Sequence, residues 1–97
     1  MRYWLSFDLG LRGDYDALYS WLDKLGALEC GDSVATFQSK KSRDQLVREL
    51  RNLLDAKKNP RVYIVSRQSG KFVLGRRKAR APWTGYAEIS VSGGEDV

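Results

Sequence analysis

Between Arg2 and Leu9 the apolar Tyr3, Leu5 and Phe7 alternate with Trp4 and Ser6. Apolar groups on both faces, in a segment this rich in aromatics, predict a central β-strand over residues 2–9 that ends at Asp8-Leu9-Gly10. After the loop Gly10-Leu11-Arg12-Gly13 the period changes: Tyr15, Leu18, Leu22 and Leu25 recur at helical spacing, flanked by Tyr19 and Trp21. Asp14 suits the N-cap of that helix and Gly26 its stop. Residues 27–38 predict a hairpin, with Gly31-Asp32 supplying the turn or a bulge. Ser42 and Gln45 form a capping box ahead of an apolar stripe of Leu46, Val47, Leu50, Leu53 and Leu54, which predicts a helix over residues 43–58. Lys57 and Lys58 complement the dipole of its last turn, Asn59 accepts a left-handed backbone, and Pro60 blocks continuation.

The β-branched run Val62-Tyr63-Ile64-Val65 predicts a buried strand, and Gln68-Ser69-Gly70-Lys71 turns it into Phe72-Val73-Leu74 as a second hairpin. Residues 76–82 are too charged for a core element. Weak alternation over residues 83–91 predicts a last edge strand, and residues 93–97 a frayed tail. Strand, helix, hairpin, helix and strand in this order predict an α+β, ferredoxin-like βαββαβ sandwich, with both helices on one face of an antiparallel sheet and a C-terminal hairpin or edge strand added. At 97 residues the chain has room for one domain, taken as residues 1–92.

Composition narrows the chemistry. There is no histidine and one cysteine, Cys30, so an internal disulfide, a zinc finger and the histidine-based nucleophilic dyads and triads are excluded. Chemistry would run on carboxylates, hydroxyls, Lys and Arg, and a metal would be a hard one held by oxygen. No apolar run is long enough for a membrane span or a signal peptide, which leads to the expectation of a cytoplasmic protein with no membrane partner.

Charge is unevenly spread. Residues 1–32 carry three basic and six acidic side chains, whereas residues 33–97 carry fourteen and six. Between Ala56 and Ala87 there is no acid, yet nine basic residues fall there. A polyanion is the natural partner, and a solvated basic face is the plain alternative. The basic residues Lys71, Arg76, Arg77, Lys78 and Arg80 are interleaved with Phe72, Trp83 and Tyr86. Cations can contact phosphates and an exposed ring can stack on a base, although Phe72 and Trp83 also suit a core or an interface.

Asp8 stands out among the acids because it closes a strand beside Gly10 and Gly13, where a loop rim can take a ligand. Its alternative role is to hydrogen-bond the backbone of the loop that follows. Asp14 and Asp16 fit the first turn of a helix, Asp32 a turn and Asp55 a helix surface, while Cys30 fits a small buried apolar residue.

An ordered series of segments resembles the small subunit of the CRISPR adaptation complex and its virulence-associated protein D and SinR-like relatives. It comprises Leu5-Ser6-Phe7-Asp8-Leu9, Asp14-Tyr15, Leu25-Gly26-Ala27, Ser33-Val34 through Phe37, Arg43-Asp44-Gln45-Leu46 through Leu54-Asp55, and Val62-Tyr63-Ile64-Val65, within residues 2–66. The chain departs from that pattern at Phe7, at Ala35 and over residues 67–97. The resemblance implies a ferredoxin-like homodimer in which two Asp8 carboxylates meet across the axis and share Mg2+. Ser6 or Ser33 would then orient the attacking water and Arg12 would stabilise developing charge. The expected function is a dimeric protein that binds DNA or RNA through Arg12, Lys71, Arg76, Arg77, Lys78 and Arg80, with magnesium-dependent endonuclease activity as its catalytic form. The alternative is a non-catalytic interaction or scaffold module, including a toxin or antitoxin partner. A metabolic enzyme finds no nucleotide loop or dinucleotide fingerprint to stand on.

Overall fold

The computed structural model of the chain describes residues 1–88. Five strands, β1 (Arg2–Asp8), β2 (Leu28–Gly31), β3 (Val34–Gln38), β4 (Arg61–Ser66) and β5 (Gly70–Leu74), form one antiparallel sheet in the order β2-β3-β1-β4-β5. The first four strands, with helix α1 (Tyr15–Lys24) after β1 and helix α2 (Arg43–Leu53) after β3, make the ferredoxin-like βαββαβ arrangement, and β5 extends it by a hairpin. β1 lies between β3 and β4, as expected for a segment apolar on both faces.

Alternation decides which side chains meet the helices. Tyr3, Leu5 and Phe7 of β1, Ala35 and Phe37 of β3, Val62 and Ile64 of β4 and Val73 of β5 are buried against Leu18 and Leu22 of α1 and Leu46, Val47 and Leu50 of α2. Trp21 closes one edge of this core, its ring 5.6 Å from that of Phe37 and nearly perpendicular, with its indole N–H donated to Glu49 on α2 at 3.1 Å. Among the described residues, α1 and α2 both pack on this one face of the sheet and leave the opposite face to the alternate strand residues. Among the described residues no helix is long and apolar enough to cross a membrane.

The capping box is present in full: Gln45 N–H donates to Ser42 Oγ, and Ser42 N–H donates to Gln45 Oε1 at 2.8 Å. Gly26 (φ 68°) and Asn59 (φ 55°) take the left-handed positions expected of them.

Other expectations are corrected. Helix α2 ends at Leu53 rather than running to residue 58, because Leu54 turns extended and Asp55 starts a separate 3-10 turn, Ala56–Lys58, by accepting from Lys57 N–H at 2.9 Å. Asp55 is therefore a cap and not a helix-surface residue. Asp14 stands before α1 without capping it through its side chain. Cys30 is exposed rather than buried, since every residue of edge strand β2 is exposed and a bulge between Glu29 and Gly31 breaks its alternation. Residues 83–88 are not a strand: Thr84 N–H bonds to Ala81 C=O and Tyr86 N–H to Trp83 C=O in a turn, and residues 86–88 are helical. The remainder of that expected strand, residues 89–91, and the expected tail, 93–97, lie outside the described residues.

Candidate functional site

The C-terminal end of β1 and the first residue of β4 are brought together by pairing, with Asp8 opposite Arg61. β5 leaves the sheet beside them. At Gly75 the chain passes so close to Pro60 and Arg61 that a Cβ there would press on both, and its φ of 81° is one that side chains resist. Arg61 Nε then donates to Arg76 C=O at 3.1 Å, which ties the basic segment to the end of the sheet. Arg61, Arg77 and Lys78 line a cleft of about 410 Å³ together with Ala81, Pro82 and Trp83. Arg61 and Arg76 border an adjoining hollow with Pro60 and Leu74. None of Arg61, Arg76, Arg77 and Lys78 has an ion-pair partner among the described residues. Trp83 and Tyr86 are 74% and 66% exposed, so neither ring serves the core.

The expected site residues fall into two groups. Arg76, Arg77 and Lys78 converge with Arg61, and Arg12 lies exposed in the loop that leaves β1 at the same end of the sheet. Lys71 is separated from them. Strand alternation turns it to the helix side of β5, where its Nζ lies 3.9 Å from Asp44 at the start of α2. Arg80 is exposed further along the basic segment and does not line the cleft. Arg61 was not singled out from the sequence, although its place directly after Pro60 and before a β-branched run was a signal that it opens the strand.

Asp8 is exposed, and its Oδ1 accepts the Gly10 N–H at 3.2 Å, the loop-holding role weighed for it from the sequence. A magnesium ion needs several oxygen ligands. The described residues bring no group of three or more Asp, Glu, Cys or His together, and Asp8 has one oxygen engaged by its own loop. The described residues of one chain thus do not provide the donor set for the ion beside Asp8. Ser33 is committed to the β2–β3 turn, with φ 60° and its C=O accepting from Phe7 N–H at 3.0 Å.

Asp14 and Glu49 serve the fold. Asp14 accepts the Asp55 N–H at 2.8 Å and the Lys58 ammonium at 2.7 Å, joining the start of α1 to the segment after α2. The Lys58 bond, followed by the Asp55 N–H, holds the Asp14 carboxyl below its usual range, and Asp14 in turn raises the Lys58 ammonium. Glu49 is likewise lowered, first by Lys41 and then by the Trp21 indole. A carboxylate with a depressed folded-state value adds stability above its unfolded value and loses it as pH falls through the folded one. Urea midpoints should accordingly drop on acidification through the carboxylate range, and the drop should be smaller in Asp14→Asn. An equal drop in both proteins would remove Asp14 as a source. Lys58 contributes with the opposite sign, fully below the ordinary lysine value and less as pH rises beyond it.

Comparison with protein-family models, with curated proteins and with solved structures returns no match to this chain.

Proposed function

We propose that this chain is a polynucleotide-binding module whose binding surface is the cationic end of the sheet. The observation that carries this reading is the convergence of Arg61, Arg77 and Lys78 on one cleft, with Arg76 held beside them by the Arg61–Arg76 bond and none of the four neutralised by an acid among the described residues. Phosphate is the anion that repeats along a chain at spacings a run of cations can follow, and four such contacts would release bound counterions on association. The resemblance noted above points to the same partner class. The proposal is of binding, because the described residues bring no group of three or more metal-ligating side chains together and Asp8 has one oxygen engaged by its own loop.

The test is fluorescence anisotropy with labelled duplex DNA across a salt series. With four phosphate contacts the slope of log K against log salt should be about -3.6. A slope near zero, or no binding in dilute buffer, would overturn the reading and favour a protein-binding or scaffold role for the same surface.

A further inference from the structure

The sheet face opposite α1 and α2 holds three rings, and we infer that it is a stacking platform for single-stranded nucleic acid. This rests on the polynucleotide reading above and adds strandedness and a second contact surface to it. Trp4 projects to this face between buried Tyr3 and Leu5, and Tyr63 does so between buried Val62 and Ile64. Phe72 pairs with Tyr63 across β4 and β5, their ring centroids 4.7 Å apart. Gly70 leaves room for this arrangement, since a Cβ there would collide with the Tyr63 phenol. All three rings are half-buried.

Trp4 stands opposite Val65, and Tyr63 opposite Ser6, so Trp4 and Tyr63 are diagonal neighbours on adjacent strands. Strands β1, β4 and β5 together place three rings on this face as a strip, Tyr63 and Phe72 in contact and Trp4 diagonal to Tyr63. Its ends are cationic. Arg2 lays its guanidinium on Thr36 Oγ1 at 2.9 Å, in the cross-strand row that contains Trp4, while Arg61 closes the strip at the other end and leads into the Arg76–Lys78 segment.

Charge decides the occupant. Asp8 is the acid at the margin of the strip, against Arg2 and Arg61 on the strip and three further cations beyond it. A second copy seated on this face would bring those cations toward their own kind, whereas a polyanion with exposed bases satisfies both the rings and the charges. A duplex hides its bases and can use only the cations. A single strand can lay bases on Trp4, Tyr63 and Phe72 while its phosphates follow Arg61 to Lys78.

The experiment compares a labelled oligothymidylate with a duplex of equal length at fixed salt, for the natural chain and for Trp4→Leu, Tyr63→Leu and Phe72→Leu. Single-strand affinity should fall about tenfold for each lost ring, the scale of one base-stacking contact, with duplex affinity and the salt slope unchanged. Trp4→Tyr should restore most of the loss, because it replaces a ring with a ring. Phe72 lies on the edge strand, so Phe72→Leu decides the matter should Trp4→Leu fail to unfold cooperatively. Equal single-strand affinity in natural and Phe72→Leu proteins, with duplex binding intact, would overturn the platform and leave the cationic reading standing. Failure of the natural chain to bind either polymer would remove the cationic reading itself. A dimer that Phe72→Leu or Trp4→Leu dissociates, and that oligothymidylate does not compete with, would assign the face to a second copy instead.

Discussion

Tyr3→Ala should lower the unfolding free energy by about 3–5 kcal/mol, the range for removing a large buried ring. Tyr3 is fully buried on central strand β1, its ring 5.7 Å from that of Phe37. Its hydroxyl donates to Lys41 C=O at 2.8 Å, in the segment that leads into the α2 capping box. The substitution therefore opens a cavity beneath α2 and leaves a partly buried carbonyl without its donor, two penalties that act together. Tyr3→Phe separates them. It keeps the ring and should cost about 1 kcal/mol, the net worth of one hydrogen bond. Urea denaturation with an unchanged slope reads both values, and a loss below 1 kcal/mol for Tyr3→Ala would mean that β1 is not the centre of the core.

Replacing Arg76, Arg77 and Lys78 together by Ala should change how polynucleotide binding responds to salt. With four phosphate contacts, raising salt from about 50 to about 200 mM weakens duplex binding roughly 150-fold; with Arg61 alone remaining, the same change weakens it only about 3.5-fold. The fold should be untouched, because these three side chains are exposed and make no ion pair among the described residues. A surface substitution of that kind shifts stability by about 0.5 kcal/mol or less. Lys71→Ala is the internal control: Lys71 faces Asp44 on the helix side and should leave the salt response as it is in the natural chain. An identical salt response in the triple variant would place the phosphate contacts elsewhere on the molecule.

Much of the fold was legible because its signals are local. The Ser42–Gln45 box, the left-handed Asn59 and the alternation through Tyr3, Leu5 and Phe7 each act within a few residues, and each stands where the pattern put it. The misread places depend on distant partners or on the position of a strand in the sheet. Leu54 fits the helical stripe and Lys57 the dipole of a last turn, but Asp14, far away in sequence, takes the Asp55 N–H and the Lys58 ammonium and holds the segment in a different shape. Cys30 looked apolar enough to bury, yet it lies exposed on an edge strand. At the candidate site the acid-free stretch was visible as a charge pattern. Which of its cations converge was not, because Lys71 and Phe72 are adjacent in sequence and opposite across the sheet. Arg61 joined the site through strand register, which periodicity does not specify.

The most direct test of the central claim is a titration of isotope-labelled protein with short oligothymidylate at low salt, followed by amide chemical shifts. The account predicts saturable shifts on β1, β4 and β5 around Trp4, Tyr63 and Phe72 and on Arg61 and residues 75–78, with the exposed faces of α1 and α2 unmoved. Shifts confined to the helices, or none at any oligonucleotide concentration, would contradict it.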